Sequence, residues 1–461
     1  MSVTSELVDW VVNASSDRFD APALERARAA IVDTVGVILA GAHEEVTAIA
    51  RAAVEEDGGA PIARHLGTEL RCPPEQAALL NAIAGHALDF DDVNRTEVGH
   101  PSVVVLPAAL AACELAGAGG RRLLEAYIIG VEVACKLGLV MGYEHYRRGW
   151  HATATMGTLG AAMAAGKVLG LDRDGLASAL GIAASEASGS RQNFGTMTKP
   201  FQVGHAAACG VRAARLAARG LTAHREILDA ELGYFALFSF GEAEPDRLPG
   251  VLGKPLEIVD PGLNMKKYPC CFATHRAIDA TLMLTAAHAV SPSGVRQVRV
   301  TVPPGGLDPL LHRRPASGLQ AKFSMEYAVA TSLLEGAPAP RHFEDRAVAR
   351  PEVQHLVRLV EPHEDPAIHV RDNPMEEGHV EVALELTDGT VLTQTVRAPR
   401  GGPGLPLTAE EVASKFLGCA AEILPGERAA DALRRLTSID GEHDIRSLTA
   451  ALTPATADDR G

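Results

Sequence analysis

The sequence predicts a mainly α protein, in which a large all-helical domain from both chain ends (residues 1–263 and 401–461) is interrupted by a smaller α+β domain at 264–400. Three observations carry this. Apolar residues recur at helical spacing through roughly the first 260 residues, β-branched runs of period two begin after Gly262, and helical spacing returns beyond Arg400–Gly404. A chain of 461 residues has room for such a division.

Ala21–Leu39 has Pro22 near its start and Gly41 just past its end, a matched pair of helix boundary signals. Pro73–Leu88 follows the same logic. Pro101–Leu115 opens on a proline whose missing N–H costs nothing in a first turn, and Pro107 is expected to kink it. Leu123–Leu139 is apolar on several faces and reads as central. Thr153–Leu169 gathers Gly157, Ala161, Ala164, Ala165 and Val168 on one close-packing side, and Leu176–Ala187 and Phe201–Ala218 are similar. Val295–Val302 alternates as a strand, and His379–Leu386 and Thr390–Val396 flank Thr387-Asp388-Gly389 as a hairpin. Ser324–Leu334 and Glu352–Val360 read as helices between the strands. Arg400–Gly404 reads as a linker, Thr408–Ala421 and Glu427–Leu436 as helices, and the tail from Pro454 as disordered.

The formal charge of −15 argues against nucleic acid or an anionic membrane as partner. Seven scattered cysteines, none in zinc-ligand spacing, read as reduced thiols of a cytoplasmic protein. No signal-peptide pattern occurs, and the most apolar stretch, Val103–Gly117, is too short to span a bilayer.

Acidic residues are absent from Ala187–Arg225, His145–Leu171 and Pro261–Ile278, which leaves basic islands in an acidic chain. A desolvated carboxylate needs such pairing, so these islands point to an anionic ligand. The arginines after Lys199 read as solvated helix faces, whereas Lys199 and Lys266 lie among Gly, Pro and aromatic residues and read as site residues. Asp89-Phe-Asp91-Asp92 lacks the ligand count and glycine turn of a calcium loop; Asp89 reads instead as the partner of His100, beside a Pro-started helix. His151 precedes a small-residue helix, at whose start an anion is favoured, and reads equally as a core histidine. No dinucleotide, phosphate-loop or serine-elbow motif is present, so no cofactor and no metal are expected.

An ordered set of motifs runs along nearly the whole chain: Asp33-Thr-Val-Gly36, Leu88-Asp89-Phe-Asp91-Asp92 with Gly99-His100-Pro101-Ser102, and Gly149-Trp150-His151 leading to Gly157-Thr-Leu-Gly160. Thr198-Lys199-Pro200 with Gly204-His205, and Lys266-Lys267-Tyr268-Pro269 with Thr274-His275, complete it. In this set the chain resembles the MmgE/PrpD family, which includes 2-methylcitrate dehydratase, cis-aconitate decarboxylase and iminodisuccinate epimerase. The resemblance implies a helical domain with an α+β lid, a homodimer, and cofactor- and metal-free chemistry on a small di- or tricarboxylate. Family active-site residues map onto Asp89, His100, His151, Lys199 and Lys266. Lys267, Arg191 and His275 follow as second-rank substrate contacts, and Tyr146 matches a tyrosine assigned as base in the epimerase.

Lysines aimed at a carboxylate stabilise the enediolate formed when the neighbouring proton leaves, and a tuned imidazole takes that proton. Dehydration, epimerisation and decarboxylation share this step. They are expected in that order of preference; Val93 stands where the decarboxylase has threonine and the spacing to His100 is one residue longer, which counts against cis-aconitate itself as substrate. A non-catalytic organic-acid binding protein and a metal-dependent hydro-lyase are the outside alternatives.

Overall fold

The computed structural model describes residues 2–371 and 373–454, so the tail beyond Pro454 lies outside the described residues. The architecture is mainly helical with one small mixed sheet. The helices that position the site are α1 (Ala21–Gly41), α2 (Pro74–Ala87), α3 (Pro101–Ala116), α4 (Gly120–Arg147), α5 (Ala152–Val168), α6 (Arg173–Glu186) and α7 (Thr198–Ala217). Their starts follow from local chemistry. Asp20 accepts from the Ala23 amide to cap α1, and Pro101 fills the first position of α3.

Close approach needs the small residues. A Cβ on Gly160 of α5 would lie 2.6 Å from the Gly130 carbonyl oxygen of α4, so the two backbones meet with nothing between them. Around them Ile31, Ile38, Leu80, Val104, Leu106, Tyr127 and Ile128 are fully buried in one continuous core. Each such aliphatic side chain contributes about 1.5–3 kcal/mol relative to exposure. The chain end returns to this core: α11 (Ala409–Ala420) packs on α1, with Phe416 fully buried against Gly36. Its first turn is closed by the reciprocal Thr408 and Glu411 cap.

The sheet has four strands, β1 (Val295–Val302), β2 (Val360–Glu364), β3 (Val380–Leu386) and β4 (Val391–Val396), in the order β2-β1-β3-β4. β1 pairs parallel with β2 and antiparallel with β3, placing Val298 opposite both Val360 and Leu384. Helices α8 (His275–His288), α9 (Met325–Glu335) and α10 (Pro351–Val357) accompany it, and a separate apolar cluster links them to the strands.

Helix α3 stays helical through Pro107, whose absent N–H removes a single bond. Three expectations need correction. The helix expected to reach Val360 stops at Val357, and Val360–Glu364 is an edge strand, the one place where Pro362 fits a sheet. Helix α4 continues to Arg147 but breaks at Gly142 (φ 64°, ψ 179°), which re-aims its last turn. Arg400–Gly404 is no free linker, since the Met265 amide donates to the Gly401 carbonyl and Arg400 pairs with Glu411.

All seven cysteines are free thiols. Among the described residues no helix is long and apolar enough to cross a membrane.

Candidate active site

Three helices begin at one point. His100 is the residue before α3, His151 the residue before α5, and Lys199 the second residue of α7. Helix starts carry partial positive charge, so their convergence favours an anion. The His100 amide donates to Thr153 Oγ1 (3.1 Å), tying the first two starts together. The loop leaving α2 supplies Asp89, and an extended segment after Gly262 supplies Lys266.

Asp89 is the hub. Lys199 Nζ donates to its Oδ1 (2.5 Å), and Lys266 Nζ donates to both its Oδ2 and its carbonyl oxygen (2.8 Å each). All three side chains are buried. Burial opposes the Asp89 charge, but the two ammonium groups outweigh it and hold the carboxyl well below the usual range. Burial likewise opposes charge on Lys266, and Asp89 reverses the sign, leaving Lys266 raised.

A second carboxylate serves the imidazoles. His86 Nδ1 donates to Asp91 Oδ2 (2.8 Å), and His100 Nδ1 lies 3.1 Å from the same oxygen, off the ideal direction. With Nδ1 of His86 carrying the proton, its Nε2 is the acceptor for Lys199 Nζ at 2.6 Å. Burial lowers His86 to about 4 and also lowers His100, with Asp91 working against the shift in both. Asp91 itself stays well below the usual range because His86 and His100 outweigh its burial.

His151 is fixed by a different chain. Gln202 Nε2 donates to the Ser190 carbonyl (3.1 Å), which turns Gln202 Oε1 toward His151 Nδ1 (2.7 Å). His151 Nε2 is therefore a bare lone pair, buried and without a protein partner. Burial and then the Lys199 charge hold this imidazole neutral.

These groups line a pocket of about 30 Å³. Asp89, His100, His151, Lys199 and Lys266 all face it, with Tyr146, Thr153, Val93, Val98, Phe194, Phe272, Phe323 and Met375 completing much of the wall. A larger groove of about 980 Å³ lies elsewhere, lined by acids and bases in mixture, including Lys267, Glu344, Asp345 and Glu411.

The five residues first singled out thus meet at one place, and Tyr146 joins them. Three contacts do not. Lys267 is exposed and turns to Glu411 (3.8 Å) in the larger groove, because successive residues of an extended segment face opposite ways. His275 is buried beside the Cys270 carbonyl (3.3 Å), outside the cavity lining. Arg191 is spent on the Tyr146 and Asp308 carbonyls (2.7 Å each) and lies over the Tyr146 ring at 3.8 Å, so it holds the tyrosine. The expected Asp89–His100 partnership is also corrected: the lysines take Asp89, and His100 leans on Asp91. The arginines after Lys199 are surface pairs as expected, Arg212 and Arg215 with Glu75. His86 and Asp91 were missed as site residues, although both sat in the motif; a histidine five positions before a carboxylate was the available signal.

Ligand atoms of His86, Asp89 and His100 lie within 4.8 Å of one another. A cation there would displace two ammonium groups, one from His86 Nε2 and both from Asp89. The donor set is built for an anion.

The MmgE/PrpD N-terminal domain model matches residues 5–246, and the MmgE/PrpD C-terminal domain model matches residues 268–438. The cis-aconitate decarboxylase of Homo sapiens is 28% identical over 444 residues, covering 93% of this chain and 90% of the relative. That of Mus musculus is 30% identical over 400 residues, covering 83% and 79%. That of Aspergillus terreus (strain NIH 2624 / FGSC A1156) is 28% identical over 476 residues, covering 98% and 96%.

Proposed function

The chain belongs to the MmgE/PrpD family, and on that premise we propose that it is a lyase that releases CO₂ from a small, multiply charged carboxylic acid. One observation carries the reading: two buried ammonium groups share a single carboxylate beside neutral imidazoles at one narrow pocket. Asp91 faces the imidazoles rather than the lysines, so on the ammonium side of the pocket positive charge exceeds negative until an anion enters. The names of the relatives support loss of CO₂ over loss of water, which the sequence alone had ranked first.

In this reading the C–C bond to the departing carboxylate breaks and its electron pair enters the carbon chain. A neighbouring carboxylate takes up the charge as an enediolate, the species that α-proton removal would also produce. Lys199 and Lys266 stabilise it, an effect worth about 3–4 kcal/mol per well-placed donor. One proton is then added at carbon. His100 is the assigned carrier, since Asp91 stabilises its cationic form, while His151 orients the substrate through Nε2.

The pocket is narrow, and the proposal includes a lid that moves over it. We assign residues 1–263 and 401–461 as the body and 264–400 as the lid; Lys266, Phe272, Phe323 and Met375 come from the latter. A homodimer belongs to the same proposal.

The test is a panel of unsaturated di- and tricarboxylates in deuterated buffer, followed for CO₂ and by NMR of the product. CO₂ release with one solvent deuterium at carbon is expected. Water loss without CO₂ would restore the dehydratase reading, exchange alone would make it an epimerase, and no reaction with any acid would end the proposal.

A further inference from the structure

The cavity wall is divided. Its cationic groups are Lys199 and Lys266, and both already face Asp89. Among the described residues no arginine lines it; Arg191, next nearest in chemistry, is tied to two backbone carbonyls. His100, His151, Tyr146 and Thr153 add uncharged hydrogen-bonding groups. The remainder includes Val93, Val98, Phe194, Cys271, Phe272, Pro309, Phe323 and Met375, with Phe194 and Phe323 about 5 Å from Lys199 Nζ and most of these side chains nearly fully buried. Two carboxylates can each meet an ammonium group. A third would have no ammonium partner and could meet only the uncharged Tyr146, Thr153 and imidazole groups amid rings and a thioether, where a carboxylate without a counter-charge is disfavoured.

Resting on the lyase reading above, we infer that the substrate of this chain carries two carboxylates and an apolar substituent, and that Val93, Phe272, Phe323 and Met375 select that substituent against a third carboxylate. The chemical class is an alkyl-substituted unsaturated dicarboxylate.

Tricarballylate is succinate bearing a carboxymethyl group, and 2-isobutylsuccinate is its near-isostere with a dimethyl carbon in place of the third carboxylate. Both lack the double bond that would accept the electron pair, so equilibrium binding to the wild-type chain is measurable by calorimetry. The isobutyl acid is expected to bind about tenfold tighter or better, the size of one unpaired buried charge after relaxation. Met375→Lys places a third ammonium in the wall and is expected to shift the ratio toward tricarballylate by about tenfold, because a new ion pair forms out of water. Its thermal melt and its binding of the isobutyl acid report whether the variant is folded.

Equal or tighter binding of tricarballylate by the wild-type chain overturns the inference, as does failure of both acids to bind. Neither result touches the lyase reading, which stands or falls on CO₂ release across the panel. Rapid turnover of cis-aconitate with tight tricarballylate binding would leave that reading intact and remove this one.

Discussion

Asp91 is the residue whose loss should be felt most selectively. It is fully buried, and one of its oxygens faces two imidazoles at 2.8 and 3.1 Å. In Asp91→Asn the volume is kept, but the site loses its charge and gains an N–H₂ donor. If the amide oxygen still faces His86, nothing stabilises a cationic His100. If the NH₂ faces His86, the His86 proton moves to Nε2 and meets the Lys199 ammonium, 2.6 Å away, donor against donor. A carboxylate and an imidazolium about 3 Å apart interact by roughly 5 kcal/mol at an effective dielectric of 20, before desolvation is charged against it. Relaxation leaves part of that, so a fall of about 10²–10⁴ in kcat is expected, the range seen when an oriented imidazole loses its carboxylate. KM should move far less, because Asp89, Lys199 and Lys266 still bind the substrate. The sign for pH is fixed: without Asp91 the His100 pKa falls further, so the pH-rate limb governed by its protonated form moves to lower pH. The assay is CO₂ release from the best acid of the panel across pH, with circular dichroism to verify the fold. Activity within threefold of wild type with an unmoved profile would refute the assignment of Asp91 and His100.

Adjacent lysines should behave oppositely. Lys266→Ala strips Asp89 of one ammonium and is expected to cost about 10² or more in kcat/KM, whereas Lys267→Ala, whose partner Glu411 lies outside the cavity, should stay within about threefold; equal losses would show the cavity to be misassigned. Buried titratable groups pull stability in both directions on acidification. Burial lowers His65 and His275 to about 3 and His86 and His145 to about 4. A depressed folded pKa contributes stability that is present above the unfolded value of about 6.5 and is lost as pH falls toward the folded one. Asp92, Glu132 and Glu376, all raised to about 7 chiefly by burial, act the other way between about pH 4.5 and 7. His65 lies outside the cavity lining, so in His65→Gln the change in Tm from pH 6.5 to 4.5, measured by calorimetry, should be less negative than in wild type, and an equal or more negative change would contradict the role given to His65.

What the sequence made legible was local. Pro, Gly and Asp at helix boundaries, and apolar spacing in between, located the helices, to within a residue or two for α1, α2, α3, α5 and α11 and less closely for α4, α6, α7 and α10, and the placement of His100 and His151 before α3 and α5 followed from those boundaries. What stayed hidden was relative direction. Lys266 and Lys267 are chemically alike, and only the pleat of an extended segment decides which one enters the cavity. Asp89 and Asp91 are likewise alike, yet one faces ammonium groups and the other imidazoles. β2 was hidden because its parallel partner is about 60 residues away in sequence and its five residues, interrupted by Pro362, are too few to stand out as a strand. Gly142 was one glycine among 44, and nothing local distinguishes it as the one that breaks α4.

The divergence of Asp89 and Asp91 has a backbone cause. Asp89 has φ 52°, in the left-handed region, and Val98 near the loop's far end has φ 55°. For a β-branched residue this is a genuine outlier, and such conformations cost of order 1–3 kcal/mol each unless their surroundings impose them. Here the surroundings do. Lys266 Nζ holds the Asp89 carbonyl as well as its carboxylate, and the Asp89 amide donates to the His86 carbonyl (3.1 Å). Asn94 Oδ1 accepts from the Thr96 and Glu97 amides, Asn94 and Gly99 pair through their backbones, and Val93 pairs with Asn264. The left-handed turn at Asp89 is what sends its carboxylate to the lysines while Asp91, two residues on, meets the histidines. Two opposite electrostatic environments are thereby built from one short loop. Because Asn264 and Lys266 hold that loop from beyond Gly262, motion of the 264–400 segment would act on the same bonds that impose the strain, coupling opening of the cavity to the geometry of its charged hub.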